Sequence, residues 1–111
     1  MNKFASIREA LAALPAGPEA IADHLAASGV KAECRNPGRC AIAEYLAATT
    51  VVPAHHELSV GPTVAWLIHE DNAFQPVERA VMREDVAEFV SNFDLGMYPD
   101  LVAEVAEVAH A

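Results

Sequence analysis

Between Met82 and Phe93 the large apolar side chains fall at i, i+4, i+7, i+8 and i+11: Met82, Val86, Phe89, Val90 and Phe93. That spacing makes one stripe of an α-helix and fits no strand. Arg83, Glu84, Asp85, Glu88 and Asn92 face elsewhere. Glu84 and Asp85 suit the positive end of the helix dipole, and Gly96 ends the helix. Such a stripe demands further elements to cover it. The chain has 111 residues, 53% of them hydrophobic, which predicts a single globular domain over residues 1–111. Much of the apolar fraction is alanine, so the few large side chains carry the core.

The rest of the chain supplies those elements. Ser6-Ile7-Arg8-Glu9 has capping-box form, with Ser6 as the cap and Glu9 reaching back. Phe4, Ile7, Leu11 and Leu14 then recur at helical spacing. Pro15-Ala16-Gly17-Pro18 ends that helix and begins a second over about Glu19–Ser28, with Gly29 just past its end. A loop from Val30 to Arg39 leads to a third helix over about Cys40–Thr49, with Ile42, Tyr45 and Leu46 on one side. There the period changes. Thr49 to Val52 is β-branched and stops at Pro53. Leu58–Val60 and Val64–His69 read as strands around Gly61-Pro62. Phe74–Met82 reads as a third, which Pro76 confines to an edge, and its far end suits strand or helix. After the Met82–Phe93 helix, Pro99 opens a last one, with Leu101, Val102, Val105 and Val108 apolar and Asp100, Glu104 and Glu107 on its other side. The order predicts an α+β fold: three N-terminal helices, a small antiparallel sheet of two to three strands, and two C-terminal helices.

Formal net charge is −9, and its distribution says more than its sum. Residues 1–50 carry five basic and five acidic side chains; residues 51–111 carry two basic and eleven acidic ones. A nucleic-acid surface needs Lys and Arg, which only the first half could spare. The acidic half is suited to a basic protein surface, or simply to keeping an alanine-rich domain in solution. No apolar run approaches the roughly 20 residues of a membrane span. Arg8 and Glu9 stand where an export signal needs its apolar stretch, which predicts a cytoplasmic protein with no membrane partner.

Ala32–Leu46, AECRNPGRCAIAEYL, carries both cysteines. Five residues separate Cys34 from Cys40, whereas structural zinc motifs usually place two to four between paired cysteines and need two further ligands. His55 and His56 could supply those, but neighbouring strand residues point to opposite faces. A Pro-Gly turn could bring the thiols within about 6 Å for a disulfide, against which a reducing cytoplasm argues. Arg35, Arg39 and a helix N-terminus at Cys40 would lower a thiol pKa and favour redox chemistry. The plainer reading is two small residues packing a helix start.

His55-His56-Glu57 suggests acid–base work but has no nucleophile beside it. Ser6, Ser28, Ser59 and Ser91 lie outside any nucleophile elbow, and no glycine-rich phosphate loop is present. No catalytic residue, cofactor or cofactor-binding residue, or metal ligand is assigned. Trp66 is the single tryptophan. It shares a pleated face with Val64 and Ile68, so whether that face meets the helices decides between a core residue and a partner's anchor.

Three helices followed by a hairpin also suggest a winged-helix-like DNA-binding protein reading the groove with the helix at 39–49, supported by Lys31, Arg35 and Arg39. Against it, the gap from Gly29 to Arg39 is about ten residues where the motif has three or four. Ala41, Ile42, Ala43, Glu44 and Tyr45 are also poor chemistry for base edges.

Three stretches, GRCAIAEYL (38–46), LSVGPTVAW (58–66) and EFVSNFDLGMYPDL (88–101), cover about a third of the chain. In these it resembles a group of small uncharacterised proteins from high-GC actinobacteria and their phages. That group commonly has proline after the second cysteine, where this chain has Ala41. The resemblance implies a bacterial or phage cytosolic origin and brings no activity and no site residue.

The expectation is a small, acidic, non-enzymatic interaction or modulator protein that binds another protein or itself. A phage-encoded modulator of a host protein is one concrete form. The acidic sides of the last two helices, at Glu88, Glu104 and Glu107, are the first surface to suspect. The alternatives are DNA binding through the helix at 39–49 and a metal- or redox-active cysteine loop.

Overall fold

The computed structural model describes residues 3–36, 38–72 and 75–103. Three helices come first: α1 (Ile7–Ala12), α2 (Pro18–Ala27) and α3 (Ala41–Thr49). Strands β1 (His56–Val60), β2 (Val64–His69) and β3 (Glu78–Val81) follow, then α4 (Glu84–Asp94) and a short 3-10 turn at Pro99–Leu101. The expected α+β order holds through α4. The sheet is antiparallel in the order β1-β2-β3.

The local signals act as their chemistry requires. Ser6 Oγ accepts from Glu9 N at 3.1 Å, and Glu9 Oε1 reaches back to Ala5 N at 3.2 Å. The remaining free amides of that turn are met from the sheet. Glu78 on β3 accepts from Ile7 N (3.1 Å) and Arg8 N (3.2 Å), so one carboxylate caps a helix and docks it on the sheet. Gly29 and Gly96 both have positive φ (82° and 83°) and close α2 and α4 with paired bonds back into the last turn. Val30 N bonds Leu25 O beside Gly29 N to Ala26 O, and Met97 N bonds Asn92 O beside Gly96 N to Phe93 O.

Two sequence expectations are corrected. The third strand is shorter than Phe74–Met82: it begins only at Glu78, past Pro76, while Phe74 lies outside the described residues. Met82 is buried but precedes α4, and its N–H bonds Thr63 O as a continuation of the sheet. Over the described residues Pro99 opens only a 3-10 turn, Pro99–Leu101, and not the expected helix. Val102 is extended and bridges Ala32 in parallel, with Ala32 N bonded to Leu101 O and Ala103 N to Ala32 O. Those long-range bonds take the backbone groups a helix would need. Glu104, Val105, Glu107 and Val108 lie outside the described residues.

The core sits between one face of the sheet and the helices. Val86, Phe89, Val90 and Phe93 of α4 are buried as the stripe predicts, together with Ile7, Ile21, Leu25, Ile42 and Leu46. The sheet contributes Leu58, Val60, Ala65, Leu67 and Ala80. Helix α1 packs on β3, α3 on β1 and α2 on α4. Tyr45 hydroxyl, buried, donates to Ala10 O at 2.6 Å and ties α3 to α1.

Arg83 and Asp85 join the two halves of the chain. The Arg83 guanidinium donates to Leu14 O (3.1 Å) and Pro15 O (2.8 Å) and pairs with Asp85 at 3.0 Å. Asp85 also accepts from Gly17 N at 2.8 Å. The Arg83 bond and the Gly17 amide hold its carboxyl down to about 2, below its ordinary 3.8. A depressed carboxylate stabilises the fold above its unfolded pKa and loses that contribution as pH falls through the folded one. Asp85→Asn is therefore expected to cost about 1 kcal/mol at neutral pH, given screening of a partly solvated pair. The deficit should shrink as pH drops from about 4 to 2, in urea unfolding followed by circular dichroism.

Candidate functional site

The cysteine loop is closed by a backbone bond across it and by its own side chains. Glu33 N bonds Arg39 O at 2.8 Å, and Asn36 caps the turn with Oδ1 on Gly38 N at 3.1 Å. Cys34 and Cys40 are free thiols. Cys34 Sγ donates to Phe93 O at 3.1 Å, and Cys40 is buried at the start of α3. The expected lowering of the Cys40 pKa is reversed. The amides of Ile42 and Ala43 do favour the thiolate, but burial outweighs them and pushes the pKa up. The two arginines are occupied: Arg35 donates to Asp94 O (3.1 Å), and Arg39 pairs with Glu44 (2.9 Å). Cys40, Val60 and Val90 floor an open cleft of about 460 Å³ between this loop, Gly61-Pro62 and α4. Arg35 and Asp94 sit together on its wall and supply one charge of each sign. Among the described residues, no group of three or more His, Cys, Asp and Glu side chains is placed to hold a metal ion.

His55, His56 and Glu57 are dispersed. His55, at φ 65°, is exposed and faces Glu70 at 3.5 Å. His56 sits edge-on to its cross-strand partner His69, with ring centroids 4.7 Å apart. Glu57 takes the opposite face of β1, as strand alternation requires. The three do not converge on one substrate atom.

Helix α3 buries Ala41, Ile42, Ala43, Tyr45 and Leu46 and exposes Ala47 and Ala48. It presents no basic side chain to a groove. The acidic cluster expected on α4 is also thinner than its composition. Asp85 is tied to Arg83 and Gly17, and Asp94 accepts from Arg35 N at 2.8 Å. Glu84 and Glu88 are exposed there; Glu104 and Glu107 lie outside the described residues.

The sheet resolves the question of Trp66. Ala65 and Leu67 of β2 point into the core, so Val64, Trp66 and Ile68 point away from it. Register completes that outer face. Val64 is opposite Val81, Trp66 lies between Ser59 and Arg79, and Ile68 is opposite Glu57. Val81 is 68% exposed. Among the described residues, no helix covers this side of the sheet. The indole lies diagonally across the β1–β2 hairpin on Gly61, where an added Cβ would come 3.0 Å from the ring. Sequence periodicity found the Val64-Trp66-Ile68 row but missed this glycine seat; its signal was the Gly-Pro turn ahead of an alternating strand.

Both edges of the sheet are guarded. Arg8 Nη2 donates to Arg79 O at 3.3 Å along β3, and the cysteine loop brings Gly38 against Leu58 O of β1. Strand addition is hindered at each; on the outer face Arg79 and Val81 are exposed, while Val64, Trp66 and Ile68 are half-buried. Comparison with known proteins found no family model, no curated protein and no solved structure that matches the chain.

Gly61→Ala tests the seat. The methyl group is expected to lift the indole outward, so tryptophan emission should shift to the red while far-ultraviolet circular dichroism stays unchanged.

Proposed function

We propose that this chain is a small, acidic, non-enzymatic protein-interaction module that acts through the outer face of its sheet. One observation carries the reading: Trp66, flanked by Val64, Ile68 and Val81, stands on a pleated face with no described helix over it. Tryptophan is the side chain most enriched at binding hot spots, because a large rigid ring buries much area at little entropic cost. A contiguous apolar face rimmed by polar residues is the usual mark of a contact surface. Glu57, Ser59 and Arg79 supply that rim.

The cytoplasmic setting and an origin in a bacterium or its phage fit this reading. No described helix is long and apolar enough to cross a membrane. The acidic side of α4, with Glu88, is the competing surface. It is mostly solvated, and its best-placed carboxylates already hold the fold together.

Capture on immobilised protein separates the two. Species retained from the source cytosol by the wild-type chain, copies of itself included, are expected to be lost with Trp66→Ser and kept with Glu88→Lys. Equal retention by a folded Trp66→Ser variant, or loss with Glu88→Lys, would contradict the proposal.

A further inference from the structure

We infer that the occupant of this sheet face is a second copy of the same chain, packed face to face about a two-fold axis running along β2. The inference rests on the outer sheet face being the contact surface and adds what covers it. The charge pattern carries it. The face holds the acid Glu57 on β1 and the base Arg79 on β3, with the apolar row Val64, Trp66 and Ile68 between them on β2; alternation adds Glu70 just past β2, where it lies against His55. Neither Glu57 nor Arg79 forms an ion pair among the described residues. Within one chain both side chains rise from the same face with the Trp66 row between them, so they do not point at each other.

A two-fold rotation about β2 lays β1 of one copy over β3 of the other. Glu57 belongs to the Ile68 row and Arg79 to the Trp66 row, one step apart along the strands. That step is about 7 Å, and sheets stack about 10 Å apart, so the long Arg79 side chain can lean across to Glu57 of the second copy. Symmetry forms the pair twice, and the two Trp66 rings meet near the axis. The face is thus its own electrostatic complement.

The net charge of −9 sharpens the choice. Two such chains repel overall, so a contact between them is confined to a face where charge is sparse and Glu57 and Arg79 stand on opposite sides of an apolar row. A strongly basic partner would meet the positive Arg79 on the same face. The guarded edges argue the same way: two copies cannot readily join as a continuous sheet, whereas face-to-face stacking leaves Arg8 and Gly38 in place. Three strands by four residues is a small patch, below the standard interface, so the dimer is weak, with Kd on the order of 0.1 mM.

Sedimentation equilibrium of the full chain at concentrations up to about 1 mM tests this. The wild type is expected to dimerise. Glu57→Arg and Arg79→Glu should each weaken the dimer by about tenfold, because each turns two attractions into repulsions. The double swap, Glu57→Arg with Arg79→Glu, should restore it. Both positions are solvent-facing, and circular dichroism confirms that each variant is folded. A wild-type monomer at about 1 mM, or a dimer indifferent to the single reversals, would overturn the inference. If the wild type stays monomeric while Trp66→Ser still loses another captured protein, the second copy is wrong and the contact face stands. If a dimer forms and Trp66→Ser leaves it intact, both readings fall.

Discussion

On the inner side of the sheet Ala65 lies between Val60 and Ala80, and everything else in the structure follows from how little room those side chains take. Small residues there let the helices approach the sheet closely, so a layer built from Phe89, Phe93, Ile42 and Leu46 fills the space beneath. Strand alternation then leaves no choice for Trp66. With Ala65 and Leu67 inward, the indole points out, and Gly61, lacking a Cβ, leaves room for the ring beside it. Slipping β2 by one residue would drive tryptophan into a layer sized for alanine and strand Leu67 in water.

The polar side chains of the second half divide into those that hold this arrangement and those left over. Glu78 reaches from β3 to the first amides of α1 and fixes the helix against the sheet. Arg83 and Asp85 clamp the α1–α2 turn to the start of α4. Arg35 and Asp94 tie the cysteine loop to the end of α4. Carboxylates that look like a uniform acidic surface in the sequence are therefore in part fasteners. Among the described residues the outer sheet face is where charge is sparse, with Glu57 and Arg79 on either side of the apolar row.

Much of the fold was legible because its signals are local. A serine three residues before a glutamate, a glycine one step past a helix and a stripe at helical spacing each act through neighbours within a turn or two. The end of the chain was not legible for the opposite reason. Val102 pairs with Ala32, and no local pattern announces a partner seventy residues away. The sidedness of β2 was also hidden. Val64, Trp66 and Ile68 are apolar, and so are Ala65 and Leu67. Only the volume available under the helices decides which set goes inside. The cysteine loop misled in another way. Arginines next to a thiol in sequence suggest activation, but Arg35 turns to the backbone carbonyl of Asp94 and Arg39 to the carboxylate of Glu44, and burial sets the chemistry of Cys40.

The account depends most on the outer sheet face being bare in the free chain. Paramagnetic relaxation by a soluble gadolinium chelate, read on indole and methyl resonances in dilute solution, measures this directly. Strong broadening is expected for the Trp66 indole and for the methyl groups of Val64, Ile68 and Val81, with Leu58, Leu67 and Ile42 protected. A Trp66 indole as sheltered as the Leu67 methyls would mean that the chain covers this face itself, and the account would fail.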